Sequence, residues 1–465
     1  MVDFLAFLVS AAPFAVAGVG LLVLGWPASR VGVATLGAAV AGALALGASD
    51  LVGPLVGGLG TSGRVLFVLF GGLLLYNLLA AGGAVEEVSR FLGRLEPDPV
   101  ALAAGVVVGV APFFESVTGF GVAVVISAPI LLAAGFSPLK SAVLASWGQC
   151  AVPWGALGVG TVIGADLAGM GFGRLSDASA LLSVPLFPVY GVAAVALAGG
   201  WSGVRRRGPE AVLLGLAAGA GTLATSLYLV PELSGAVGGL AATAVFLARR
   251  RGRARGVPVR ALLPYAFLLG LLVVANAAGD PGSVAVVGPA LDGPAVPLIV
   301  SSVYAAVSLG VGGRRLGEAV RGTVRQWLPT AGAVLTFVLA GAVVADGGAA
   351  GVLAEEARRF GGLYPAVLPV LGAFGGALAG SNAASNALFM PLQVEAARGL
   401  GIPETLAAAS QNVAGSHASL LAPQRIVLAA TATGLVGREG EITRLAIAPV
   451  AVSVAVLAVL GMIFG

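Results

Sequence analysis

The sequence predicts an all-α polytopic membrane protein with about twelve transmembrane helices and two re-entrant hairpins in an inverted repeat. Three observations predict it: an apolarity that only lipid can dissolve, a long series of apolar runs, and two matched pairs of runs too short to cross a bilayer. Of the 465 residues, 58% are apolar and 10% charged, with a mean hydropathy of +1.02. A soluble domain carries about 25% charged residues, so this chain lacks the polar coat that water would demand. The 72 Gly suit close helix packing in lipid, where small residues let backbones approach. The 26 Pro imply kinked or broken helices, tolerated where protein or a cavity surrounds the break. Residues 1–465 therefore read as a single integral membrane domain.

Apolar runs fall near residues 4–25, 31–48, 64–84, 99–114, 118–135, 141–164, 178–200 and 209–230. More follow near 232–248, 261–279, 285–309, 327–346, 363–380, 383–399, 404–432 and 443–464. Met1-Val2-Asp3-Phe4 has no basic segment, so the first run reads as a retained helix and not a cleaved signal. The runs 99–114, 118–135, 363–380 and 383–399 are short and polar at one end. Sixteen helical residues rise about 24 Å, less than the ~30 Å hydrocarbon core. These four runs form two hairpins, with tips at Phe114-Glu115-Ser116-Val117-Thr118-Gly119 and Gly380-Ser381-Asn382-Ala383-Ala384-Ser385-Asn386.

The stretches around the tips, about 95–165 and 365–445, resemble each other. In each, the polar tip leads to Pro129 or Pro391, then to a turn at Gly135–Pro138 or Gly401–Pro403. A helix that breaks at polar residues follows, at Ser146–Pro153 in one stretch and at Ser410–His417, reaching Pro423, in the other. Matched Gly/Pro breaks in two halves mark the substrate site of a transporter. Basic stretches at Arg205–Arg207, Arg249–Arg255 and Arg314–Arg325 can all face the cytoplasm. The first hairpin then enters from inside and the second from outside, which inverts the repeats. Arg358 and Arg359 fall outside in that arrangement and run against it.

Several chemistries are absent from the sequence. The net charge of +4 comes from Arg in short loops and gives no reason to expect nucleic acid. With one Cys, Cys150, no intrachain disulfide can form. The one Lys, Lys140, follows no P-loop, so no intrinsic ATP drive is expected. One His cannot build a His-based metal site, and no cofactor is implied. Ser416 and His417 are neighbours on one helix, about 100° apart, a poor nucleophile–base pair. An enzyme is not expected.

The candidate site residues are polar groups within apolar stretches. Glu115 is the sharpest, because an ionisable group in a membrane segment is costly and usually functional. Burial favours the neutral carboxyl, which makes Glu115 the candidate for proton exchange; the bland alternative is a tie from hairpin tip to neighbour. Ser381, Asn382, Ser385 and Asn386 lie four apart on one helical face. They can cap a helix or, with Ser116 and Thr118, cradle a carboxylate at half-helix N-termini. Gln149, Gln411 and Asn412 lie at the expected breaks, satisfying freed backbone groups or closing the site. His417 is either a structural hydrogen bonder or a proton relay. Arg425 can pair a carboxylate or snorkel to an interface. On this reading it steers the anion at the entrance and matters less to affinity than Asn382 or Asn386. Trp147 and Trp154 are expected to pack between helices.

Two ordered sets of motifs resemble the L-lactate permease family. One runs from Glu115-Ser116-Val117-Thr118-Gly119-Phe120-Gly121 through Ala128-Pro129-Ile130-Leu131 and Gly135-Phe136-Ser137-Pro138-Leu139-Lys140 to Gly155-Ala156-Leu157-Gly158. The other joins Gly380-Ser381-Asn382, Ser385-Asn386-Ala387-Leu388-Phe389 and Pro391-Leu392-Gln393 to Gly434–Glu441. The resemblance implies proton-coupled uptake of lactate, glycolate and similar 2-hydroxy monocarboxylates across the plasma membrane, by a site between two opposed hairpins. The implied partners are a small carboxylate, the proton and the lipid bilayer, with a homo-oligomer as an allowed assembly. One departure is Pro423-Gln424-Arg425, where the family pattern has Pro-His-Asn. The competing expectation is a sodium-coupled transporter of another organic anion.

Overall fold

The computed structural model describes residues 4–119, 121–250, 256–277 and 293–465. Every regular element among them is helical. The chain opens with α1 (Phe4–Gly18, extended by a π-helical turn, Val19–Val23), α2 (Ala28–Ala45) and α3 (Val52–Ala81). A short amphipathic helix follows, α4 (Ala84–Leu95), with Glu86 and Glu87 in its first turn and Arg94 in its last, the arrangement the helix dipole favours. The next elements are α5 (Pro99–Gly105), a π-helical turn (Val106–Val110), α6 (Ala111–Thr118), α7 (Val122–Ala133), α8 (Pro138–Trp147) and α9 (Val159–Leu167). The middle of the chain holds α10 (Phe172–Ser183), α11 (Leu186–Tyr228), α12 (Ser234–Ala248), α13 (Val259–Ala277) and α14 (Ala295–Leu309). Then come α15 (Gly313–Asp346), α16 (Ala349–Ala357), α17 (Tyr364–Ala379), α18 (Asn382–Leu400), α19 (Glu404–Ala418), α20 (Pro423–Thr433) and α21 (Glu439–Phe464).

Ten stretches among the described residues are long and apolar enough to cross a membrane. Val122–Ala133 and Ala295–Leu309 are shorter apolar helices. The chain is a multi-pass helical membrane protein. The order short helix, helix pair, broken helix occurs at α4 to α9 and again at α16 to α20. Long helix α3 precedes the first set and long helix α15 the second, and the two pack against each other. The second set touches α15 through α18, and α9 packs on α18, so the two helix pairs share one interior.

Four expectations shift. The run 99–114 continues to Thr118 as a 20-residue helical stretch, buried from Val100 onward and rising about 30 Å. Only the second arm of that hairpin, the 12-residue α7, is too short to cross, at about 18 Å. The run 178–200 is divided by Val184-Pro185 between α10 and α11; Val184 keeps helical angles, and the break comes from Pro185, which has no N–H to continue the helical hydrogen bonds. Arg205–Arg207 lie within α11, beyond a kink at Gly200 (φ 62°, ψ −157°), and Arg314–Arg325 lie within α15; neither stretch is a loop. Arg251–Arg255, the ends of the runs 261–279 and 285–309, Phe120 and Met1–Asp3 lie outside the described residues.

Arg250 shows what the basic stretch does where it is described. Its side chain is 5% exposed and bonds Glu96 and, at 2.8 Å, Glu210, with its guanidinium 3.7 Å from the Phe246 ring centroid. Glu210 also pairs with Arg207 at 3.0 Å, and Arg207 with Asp98 at 2.8 Å. This network ties the α4–α5 connection to α11 and α12, anchoring the base of the first helix pair.

Candidate functional site

Two glycine turns create the tips. Gly119 (φ 67°) and Gly121 (φ 82°) reverse the chain between α6 and α7, in a region that side chains rarely adopt. Gly380 (φ 62°) does the same between α17 and α18. Glu115, 1% exposed, folds back over the first turn. Its carboxylate accepts from Gly121 N at 3.1 and 3.2 Å and from Ala123 N at 3.3 Å. It thereby satisfies backbone donors at the start of α7, where the helix dipole favours negative charge.

Each broken helix then seals the C-terminal end of the first arm of its own hairpin. In the first break, Ala156 (φ 45°) and Leu157 (φ 55°) are non-glycine residues in the left-handed region, a strain of about 1–3 kcal/mol each. Their N–H groups donate to Glu115 O at 3.2 Å and Ser116 O at 2.6 Å, closing the end of α6. In the second break, Gln424 Nε2 donates to Ala379 O at 2.8 Å and Arg425 Nε to Gly380 O at 3.1 Å, closing the end of α17. The second break itself falls at Ser419–Ala422 and not at Ser410–His417, which stay helical within α19. Pro423 sets its position, holding Ala422 extended (φ −64°, ψ 144°).

Arg425 joins the two tips. It is buried, 8% exposed. Its Nη1 donates to Gln149 Oε1 at 3.0 Å and lies 3.4 Å from Glu115 Oε1. A cavity of about 30 Å³ sits between the tips, with Glu115, Gly119, Gly160, Ser381, Asn382 and Arg425 in its wall. That is little more than a water's share of volume. Ser381 and Arg425 also wall a second cavity of about 570 Å³, whose other sides include Leu73, Tyr76, Gln326 and Phe337. The second cavity has room for a small organic anion beside Arg425.

The remaining amides are mostly occupied with one another. Asn412 Oδ1 accepts from Asn382 Nδ2 at 2.7 Å and Asn386 Nδ2 at 2.8 Å. Its Nδ2 donates to Thr161 Oγ1 at 3.0 Å and Ser179 Oγ at 2.9 Å. Asn386 also donates to Gly160 O at 2.9 Å, and Gln411 donates to Ser385 Oγ at 3.0 Å and accepts from Gln393. These residues lock α18 and α19 to α9 and α10. Ser116 and Thr118 donate within their own helix, to Pro112 O and Phe114 O. Ser381 stands at the N-cap of α18 with no side-chain cap bond, so its hydroxyl is available to the cavities. His417 packs edge-on against Tyr190 at 5.2 Å and does not wall either cavity. Trp147 and Trp154 donate to Ala446 O and Ser176 Oγ.

Thr161, Ser179 and Gly160 escaped the sequence reading. A lone hydroxyl in an apolar helix gives no signal until its partner is known. Gly160 has a definite role: an added Cβ would lie 2.6 Å from Asn382 Nδ2 and 2.8 Å from Asn382 Cβ. Gly160→Ala is therefore expected to push the second tip away and weaken ligand affinity while the protein remains folded. Ligand titration of the purified variant checks this, and wild-type affinity would contradict it.

A family model described as L-lactate permease matches residues 6–254 and 268–464. The glycolate permease GlcA of Escherichia coli (strain K12) is 25% identical over 457 residues, covering 82% of this chain and 80% of the relative. An L-lactate permease of Salmonella typhimurium is also 25% identical, over 450 residues, with the same coverage of both chains. The solved structure of the Alcanivorax borkumensis YdaH transporter aligns with 89% of this chain and 87% of its own at a TM-score of 0.49 and 17% identity.

Proposed function

Because the chain belongs to the L-lactate permease family, we propose that it is a secondary transporter that takes up L-lactate or glycolate together with a proton across the plasma membrane. The two hairpins act as the inverted halves of one gated site. One observation carries the placement: Arg425 is held between the two tips and walls both cavities. A buried guanidinium beside room for a small anion is a carboxylate receptor. Ser381 Oγ and Asn382 Oδ1, the latter unpartnered among the described residues, stand in the same cavity wall as neutral partners for the 2-hydroxyl, the amide oxygen accepting from it. Glu115, bonded to the same guanidinium, is the proton-exchanging group.

Substrate class is tested by competition. In proteoliposomes loaded with labelled lactate, external glycolate and lactate should drive exchange, while acetate, which lacks the hydroxyl, should be weaker. Equal exchange by every carboxylate, or none by lactate and glycolate, would overturn the assignment. One observation favours sodium as coupling ion: Asn382 Oδ1 is buried without a hydrogen-bond partner among the described residues. Half-helix C-terminal ends coordinate sodium, and Asn382 lies three residues past the C-terminal end of α17.

A further inference from the structure

The Glu115–Arg425 contact connects residues 310 positions apart and is loose. At 3.4 Å it is well beyond the 2.7–2.9 Å of a strong charge-assisted bond. Glu115 is held mainly by backbone donors of α7, and Arg425 mainly by Gln149 and Gly380 O. Each partner thus keeps its position without the other. Arg425 Nη2 makes no hydrogen bond among the described residues.

We propose that Glu115 is a built-in competitor of the substrate: its carboxylate occupies Arg425 in the empty site, and the substrate carboxylate replaces it there only when Glu115 takes up a proton. This deepens the transport reading above and rests on it. The charge balance enforces the exchange. The empty site holds one guanidinium and one carboxylate and is neutral. The loaded site holds the guanidinium, the substrate anion and a neutral carboxyl, and is neutral again. Substrate without proton leaves the buried site at −1, and proton without substrate leaves it at +1. Both carry the cost of an unpaired buried charge. The proton comes from the solution that supplies the anion, adds to a Glu115 oxygen, and leaves to the opposite solution when the carboxylate returns to Arg425. While bound, the Glu115 O–H is a donor available to the substrate carboxylate or to Gln149 Oε1.

Among the described residues no other titratable group walls the inner cavity, and the outer cavity adds only Tyr76, a phenol that ordinarily titrates well above carboxylates. Around Glu115, α3 contributes Leu69, the first break Val152, Gly155 and Ala156, α9 Val159 and Gly160, the second tip Ser381 and Asn382, and α20 Arg425. Cys150, next to Gln149, directs its thiol to Val107 O. A pH dependence of binding therefore reports on Glu115 against Arg425.

The test is calorimetric titration of lactate into purified wild type and Glu115→Gln across pH, in buffers of different ionisation enthalpy. Wild type should take up one proton per lactate at alkaline pH, with affinity falling about tenfold per pH unit. Glu115→Gln should bind lactate with no proton uptake and no pH dependence, and at alkaline pH more tightly than wild type. Its elution as a single peak and its melting temperature should match wild type, which shows that it is folded. Wild-type binding without proton uptake would overturn the proposal even if the variant failed to fold. So would a folded variant that binds more weakly than wild type at alkaline pH. If wild type binds neither lactate nor glycolate at any pH, the transport reading itself fails, a result distinct from either.

Discussion

Replacing Arg425 with alanine is expected to raise the Kd for lactate by roughly 10- to 150-fold. Hydrogen bonds to a charged group contribute about 1.5–3 kcal/mol, and each 1.4 kcal/mol is tenfold in affinity. From sequence, Arg425 reads as a residue at the entrance whose loss would matter less than that of Asn382 or Asn386. Its burial against Glu115, Gln149 and Gly380 O reverses that order. Asn386 is already committed to Asn412 and Gly160 O. The same variant should lose stability, since removing one partner of a buried ion pair costs about 3–5 kcal/mol, less whatever Glu115 recovers by neutralising. Adding Glu115→Gln to Arg425→Ala should restore stability and leave binding lost. Arg425→Lys keeps the charge but not the planar fork, and should fall between. Melting curves and lactate titration of the three variants check these outcomes; an Arg425→Ala protein with wild-type affinity would remove the guanidinium from the site.

Asn412→Ala should give the largest purely structural loss. The amide receives Asn382 and Asn386 and donates to Thr161 and Ser179. After its removal Asn386 keeps Gly160 O, and Thr161 keeps Pro153 O at 2.5 Å. Asn382 and Ser179 Oγ lose their partner. Two buried polar groups left unsatisfied cost about 2–6 kcal/mol together, at 1–3 each. The expected result is a protein that melts far below wild type or fails to accumulate in the membrane. A variant with unchanged melting and reduced lactate affinity would mean that Asn412 contacts substrate and does not lock α9, α10, α18 and α19.

The solvent class is fully legible from composition, and the turns at Gly135–Pro138 and Gly401–Pro403 are legible from Gly135 (φ 87°) and Gly401 (φ 74°). These glycines are demanded by local backbone geometry, which a sequence displays directly. The second break lies at Ser419–Ala422 and not at the polar residues Ser410–His417, because polar side chains that find partners do not break a membrane helix. Gln411 and Asn412 instead satisfy one another's neighbours through side chains, and α19 stays intact until Pro423 forces the turn. The pairing of Glu115 with Arg425 was invisible for a different reason. Each residue shows its cost in lipid alone, but a contact between positions 310 residues apart depends on how two helix pairs are brought face to face. Apolar periodicity does not encode that.

A proton-coupled carrier of small 2-hydroxy monocarboxylates accumulates its substrate only when a proton gradient drives it. The most direct measurement is uptake of labelled lactate by proteoliposomes under an inward proton gradient, an inward sodium gradient, or neither. Lactate should rise above its external concentration only under the proton gradient, and a protonophore should collapse the accumulation. Accumulation driven by sodium at equal pH, or uptake indifferent to the pH gradient, would contradict the account.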